Sequence, residues 1–225
     1  MLDVGAGTGE VIKALVSDAG LSPHTYVAFE PNPAHIESLT TTLQRLQIPN
    51  TQLIPAPFDT AVRLDASFDF VLFSHSLYWM EDPPSVFHHA VNHLNVGGTA
   101  MGILQGPYGV HTLLALFEPR FERRTPMLQN NAYSSHELLS GLRLRGLEPN
   151  CRMMPTPLDM TDLFGGGSRH ELSELLSFCL QLEFEELPSG LRQELIDHVC
   201  GATIPTGDKL LWYIPNAVVT VSKEE

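Results

Sequence analysis

The stretch Met1-Leu2-Asp3-Val4-Gly5-Ala6-Gly7-Thr8-Gly9-Glu10 decides the fold. Met1 to Val4 is a short apolar run that stops at three alternating glycines. From Glu10 to Ala19 the apolar positions Val11, Ala14, Leu15 and Ala19 recur at helical spacing. Strand, glycine turn and helix are therefore expected in that order. The glycines allow a tight turn and let a ligand approach the backbone with no Cβ in the way, while the following helix offers free N–H groups. Taken alone, such a turn also suits a strand-to-helix connection that binds nothing.

Outward from it the unit repeats. Tyr26 to Phe29 is a second apolar run; it ends in Glu30, Pro31, Asn32 and Pro33, and a helical pattern follows through Ile36, Leu39, Leu43 and Leu46. Gln52 to Pro55 is a third strand candidate. Phe68 to Ser74 is a fourth, apolar enough to be buried on both faces. Pro83 to Leu94 reads as a helix, and Asn95 to Gly98 turns the chain into a strand over Thr99 to Leu104. Strand and helix alternating at this spacing predict an α/β fold with a doubly wound, mostly parallel sheet and right-handed crossovers.

Beyond Gln105 the pattern is less regular. Val110 to Phe117 and Ser135 to Arg145 read as helices, and Leu147 to Pro155 as a strand. Gly165-Gly166-Gly167 is a loop, His170 to Phe184 and Ser189 to Val199 are amphipathic helices, and Leu210 to Val221 holds one or two strands.

Glu30 stands at the end of the second strand, about 20 residues after the glycines, where an acid accepts ribose hydroxyls of a nucleoside. Dinucleotide sites usually read Gly-x-Gly-x-x-Gly, whereas here the third glycine comes one residue early, and Asp3 on the strand is a second difference. In Leu2 to Gly9 together with Glu30, the chain resembles the class I S-adenosylmethionine-dependent methyltransferases over residues 1 to about 105. That resemblance implies a Rossmann-like, seven-stranded, mostly parallel sheet with S-adenosylmethionine as cofactor. It places Gly5, Ala6 and Gly7 against the methionine portion of the cofactor, Glu30 on the ribose and Pro31 on the adenine. It offers Phe58 and Asp59, after the third strand, as adenine contacts, although Phe58 equally suits ordinary core. The stretch Ser74-His75-Ser76-Leu77-Tyr78-Trp79 falls where the family closes over cofactor and substrate, with Ser74 and His75 on the cofactor side. The family carries helices ahead of its first strand, whereas here that strand starts at residue 1.

A second, looser resemblance, to the histamine N-methyltransferase-like group, rests on Leu158-Asp159-Met160-Thr161-Asp162-Leu163-Phe164, Ser76 to Trp79 and Asn216-Ala217-Val218. It implies that Tyr78, Trp79 and Asn216 meet an amine, with His75 where that group has a polar amide. The expected organisation is a cofactor-binding core over residues 1–155 and a small C-terminal substrate cap with the last sheet strands over 156–225.

Methyl transfer is an in-line displacement at a sulfonium, so the protein must mainly align the acceptor and exclude water. An amine must be neutral to attack, and a phenol or acid gains from a base such as His75. The rings of Tyr78 and Trp79 suit a cation by cation–π attraction, or else simple packing. The leading expectation is N-methylation of a small molecule. The alternatives are O-methylation of a small aromatic or acid, with His75 as base, and a non-catalytic partner subunit that only binds S-adenosylmethionine.

Composition removes other classes. With 26 acidic and 13 basic side chains the formal charge is −13, which repels phosphate backbones, so a nucleic-acid partner is not expected. The small basic cluster of Arg120, Arg123 and Arg124, with Arg143 and Arg145, lacks an aromatic platform. Cys151, Cys179 and Cys200 have no metal or disulfide spacing, so a reducing, cytoplasmic setting is expected. His89 and His93 share a helix face without a third ligand, so no metal is expected. No apolar run reaches membrane-spanning length, and no membrane partner is expected.

Overall fold

Residues 1–121, 133–164 and 169–224 are described by the computed structural model. Arg123, Arg124 and the Gly165-Gly166-Gly167 loop lie outside the described residues.

The first half follows the alternation seen in the sequence: β1 (Leu2–Val4), α1 (Glu10–Ser17), β2 (Thr25–Phe29), α2 (Pro33–Leu46), β3 (Asn50–Ile54), β4 (Phe68–Ser74), α3 (Pro83–Asn92) and β5 (Leu94–Gln105). Then come α4 (Val110–Phe117), α5 (Ser135–Leu144), β6 (Asn150–Met154), β7 (Pro157–Asp159), α6 (Thr161–Phe164), α7 (Arg169–Leu180), α8 (Ser189–Gly201), β8 (Thr203–Thr206), β9 (Lys209–Tyr213) and β10 (Asn216–Ser222).

Seven strands form one sheet in the order β3-β2-β1-β4-β5-β10-β6. The pairs β1–β2, β2–β3, β1–β4 and β4–β5 are parallel. Against β5, β10 runs the other way: Gly97 N–H donates to Lys223 O, and farther along β5 the Thr99 hydroxyl meets the earlier residue Ser222 at 3.3 Å. The fold is thus the Rossmann-like doubly wound sheet expected from the sequence. The strand order reverses between β1 and β4, and right-handed crossovers therefore carry α1 and α2 to one face and α3 to the other. The crevice at such a switch point, outside the carboxyl ends of the strands, is where open α/β sheets take ligands.

Two compact units divide the chain. One comprises residues 1–104, 137–152 and 218–225; the other comprises 105–136 and 153–217. In the first, Ile12, Leu39, Leu43 and Ile48 bury Tyr26 and Ala28 on the α1/α2 side. Phe73 stacks on Phe87 with centroids 5.1 Å apart. A Cβ on Gly102 would stand 3.2 Å from the Phe87 ring and 3.6 Å from Leu138, so β5 is held close to its helices. Arg145 of the segment after α5 donates to Asp82 and Ser85 at the start of α3. The second unit packs Leu113, Met160, Leu176, Leu195 and Val199 around a buried Trp212, and carries the antiparallel sheet β7-β9-β8. Within it Arg120 is held bidentately by Glu194. Two members of the basic cluster, Arg120 and Arg145, are therefore engaged in structural pairs.

Three strands differ from expectation. β5 begins at Leu94 rather than Thr99, because the Asn95–Gly98 segment stays in the sheet as an irregularity, with a register shift between Phe68 and Phe70. A Cβ on Gly98 would lie 2.9 Å from Asn95 O and 3.0 Å from Phe68 O, and glycine there keeps the strand paired. β7 and β8 were not expected: they are three and four residues long, each contains a proline, and both are edge strands.

Candidate functional site

The site is built at the carboxyl ends of β1, β2 and β4. The chain leaves β1 through Gly5, Gly7 and Gly9, with φ of 76°, 58° and 88°, all in the left-handed region that favours glycine. The N–H groups of Gly5 and Ala6 both donate to Phe29 O, at 2.8 and 3.1 Å, folding the turn over the end of β2. A Cβ on Gly5 would come within 2.4 Å of Ser76 Cβ, and one on Gly9 within 2.9 Å of Leu39. Around Gly7 the same construction meets nothing within 4 Å. Two glycines thus serve close packing, and the middle one faces open space.

Glu30 closes the other side. It is buried, and its carboxylate is held by two backbone donors: Gly7 N–H to Oε2 at 2.7 Å and Asn32 N–H to Oε1 at 2.8 Å. Each carboxylate oxygen retains a lone pair, as a group awaiting the two hydroxyls of a ribose requires. The open side of Gly7 and the spare acceptors of Glu30 fit a nucleoside cofactor of the kind the sequence implied.

Beneath the turn lies a second acid. Asp3 is buried and accepts the Tyr26 hydroxyl at 2.7 Å. Loss of hydration raises its pKa to about 6 against the hydrogen bond from Tyr26, and the nearby Glu30 charge adds to the rise. Because the folded state holds this proton more tightly than the unfolded chain, protonated Asp3 contributes stability that is complete below the ordinary value of 3.8 and is lost as pH rises through about 6. The thermal midpoint of Asp3→Asn, relative to the unaltered chain, is accordingly expected to climb between pH 4 and pH 7. A difference constant over that range would show that Asp3 does not titrate there.

The loop after β4 is tied back to β1: the buried Ser76 hydroxyl donates to Val4 O at 2.6 Å. His75 takes φ of 52°, uncommon for a residue with a side chain, and its N–H donates to Ile103 O at 2.8 Å. Its Nδ1 lies 3.3 Å from the Tyr78 hydroxyl. Although much of its surface is open, dense neighbours strip hydration from the ring and lower its pKa, which favours the neutral imidazole.

The structure therefore brings Gly7 to Glu30, Gly5 to Ser76 and His75 to Tyr78. Pro31 is exposed directly after Glu30, and Ser74 is half-buried at the end of β4. Tyr78 is buried, whereas Trp79 is 56% exposed. Phe58 is packed in the core, edge-on to Phe29 with centroids 5.1 Å apart, while Asp59 is exposed and accepts from Ala61 N–H. Asn216 belongs to the second unit, where its amide donates to Thr156 at 3.3 Å. His89 and His93 meet edge-on at 5.0 Å, with His89 Nε2 2.9 Å from Val62 O. No cluster of three or more potential metal-ligating side chains exists among the described residues. No helix among them is long and apolar enough to cross a membrane.

Sequence reasoning included Ser76 in the Ser74–Trp79 stretch but gave it no role of its own, and it missed the Asp3–Tyr26 pair, which no linear spacing reveals because it forms across two strands.

Compared with known families, residues 1–149 match the model described as a methyltransferase domain. No curated protein matches the chain. Among solved structures it is similar to BH2331, a methyltransferase candidate of Bacillus halodurans C-125, at 15% identity and a TM-score of 0.61, over 100% of this chain and 92% of that one. The YcgJ protein of Bacillus subtilis gives 15% identity and a TM-score of 0.60, over 100% and 91%. A phosphoethanolamine N-methyltransferase of Haemonchus contortus, in complex with phosphomonomethylethanolamine and S-adenosylhomocysteine, gives 12% and 0.55, over 100% of this chain and 48% of that one. At such identities the likeness is one of fold.

Proposed function

The chain belongs to the methyltransferase-domain family, and from that premise we propose that it transfers the methyl group of S-adenosylmethionine to a small molecule, with an amine nitrogen as the acceptor. The observation that carries the reading is the buried Glu30 carboxylate, fixed by the N–H groups of Gly7 and Asn32 beside the open face of the glycine turn.

In this reading Glu30 holds the ribose, Gly5 to Gly7 let the methionine portion lie against the backbone, and Pro31 packs on the base. The cofactor supplies an electrophilic methyl group on sulfur, whose carbon–sulfur bond breaks as a carbon–nitrogen bond forms. The chain's own task is to present a neutral amine in line and keep water away. His75, with its lowered pKa, is suited to take the proton that the amine gives up. The exposed face of Trp79 offers a cation–π contact to the ammonium form before that proton leaves. The histamine N-methyltransferase-like resemblance supports an amine over other acceptors.

A second reading, O-methylation of a small phenol or acid, draws on the same lowered pKa, because a neutral imidazole beside the Tyr78 hydroxyl is a competent base. The test is calorimetric titration with S-adenosylhomocysteine, with NAD as control, followed by methylation assays on panels of amines and phenols. Saturable binding of the first ligand alone, with methyl transfer to amines, is the expected result. Transfer to phenols only would select the second reading. Binding without transfer to either would make the chain a binding subunit, and failure of both ligands to bind would remove the cofactor assignment.

A further inference from the structure

We propose that His35 is a positioning residue for the cofactor carboxylate Glu30, held in its working tautomer by the side chain of Asn32; this rests on the cofactor reading above. Asn32 caps α2: its Oδ1 accepts Ala34 N–H at 3.0 Å. A backbone N–H can only donate, so this bond fixes which end of the amide is oxygen. The opposite end, Nδ2, lies 3.4 Å from His35 Nε2. An amide nitrogen only donates, so Nε2 must be the unprotonated acceptor, and the neutral ring carries its hydrogen on Nδ1.

That Nδ1 is enclosed, has no hydrogen-bond partner, and lies 3.5 Å from Glu30 Oε1. The carboxylate is 6% exposed, so a donor at this distance acts through little intervening water. Oε1 already accepts Asn32 N–H, and Oε2 accepts Gly7 N–H. The imidazole therefore completes a three-sided frame around Glu30, with the glycine turn on one side, the cap backbone on the second and the His35 ring on the third. Without the ring, Oε1 is restrained by the Asn32 N–H bond and loses the contact on its α2 side, so the carboxylate turns more readily from the ribose. Because Nδ1 is covered, His35 acts on the ligand through Glu30 and not by touching it.

The consequence is that His35 affects cofactor affinity through Glu30 and leaves the chemical step alone. S-adenosylhomocysteine binding is measured by calorimetry for the unaltered chain, His35→Leu, His35→Asn, Glu30→Gln and the double variant His35→Leu/Glu30→Gln. His35→Leu should raise the dissociation constant about three- to tenfold, no more than one net hydrogen bond, because Nδ1 stands at the limit of hydrogen-bond distance from Oε1. His35→Asn, whose amide nitrogen falls near the place of Nδ1, should restore it to within about twofold. In the Glu30→Gln background the Leu change should add little, since coupling between two residues appears as non-additivity. With S-adenosylmethionine as variable substrate, KM should rise and kcat stay level in His35→Leu. Normal affinity in His35→Leu, no rescue by Asn, or fully additive losses would overturn the positioning role while leaving the cofactor site standing. Lack of binding by the unaltered chain would overturn the cofactor reading and this inference together.

Discussion

Glu30→Ala is expected to weaken S-adenosylhomocysteine binding about 10- to 100-fold. The carboxylate is the buried acceptor at the ribose end of the site, and hydrogen bonds to a charged group contribute about 1.5–3 kcal/mol each. At about 1.4 kcal/mol per tenfold, losing one such bond already reaches that range. The truncation also strips the N–H groups of Gly7 and Asn32 of their acceptor, while the Gly5 and Ala6 bonds to Phe29 O still tie the turn to the end of β2. Water entering the space left by the side chain can satisfy those two donors, and for that reason the fold should survive a change that binding does not. Titration of a variant shown to be folded by its thermal transition checks this. Undiminished affinity would mean that the sugar of the ligand lies away from β2, and the assignment of the glycine turn to a nucleoside would fall with it.

The legibility of this site in the sequence has a physical limit that its own residues illustrate. The glycine turn and Glu30 could be read because each depends on a neighbour close in sequence: a strand before it, a helix after it, and a backbone conformation few residues adopt. The strand alternation carried the sheet for the same reason, since apolar periodicity is local. What could not be read is set by contacts between residues that are not neighbours in the sequence. Phe58 satisfies both an adenine contact and a core position in the sequence, and only its edge-on packing on Phe29 shows where the ring goes. Ser76 is a small polar residue among many until its hydroxyl is found on Val4 O, 72 positions earlier. Tyr26 looks like strand filler, yet its hydroxyl is what satisfies Asp3. In the second unit, β7 and β8 are too short and too proline-marked for any periodicity to form, and pairing with β9 is what makes them strands.

The alternating glycines lead to the second large effect, a separation of stability from binding between two positions two residues apart. Both Gly5 and Gly7 have positive φ, so an alanine at either costs about 1–2 kcal/mol in backbone strain. At Gly5 the new methyl group must also displace Ser76, whose Cβ would lie 2.4 Å away and whose hydroxyl is bonded to Val4 O. Overpacking of that kind adds about 1–3 kcal/mol. Gly5→Ala should therefore lower the thermal midpoint by about 6–12 °C, taking about 3 kcal/mol in total and about 2–4 °C per kcal/mol for a chain of this size. Gly7→Ala meets no atom within 4 Å and should lose only about 2–8 °C. Its methyl group, however, enters the open face beside Glu30 where the cofactor is to lie. Conversion of the same overpacking range into affinity gives a loss of about 5- to 150-fold for S-adenosylhomocysteine. Measured side by side by thermal unfolding and calorimetry, the two variants should thus exchange rank: Gly5→Ala the less stable, Gly7→Ala with the larger binding defect per degree lost. If Gly7→Ala bound the ligand as the unaltered chain does, the open side of the turn would not be the ligand side. If it unfolded as readily as Gly5→Ala, the space around Gly7 would be filled by protein and no cofactor could approach the backbone there.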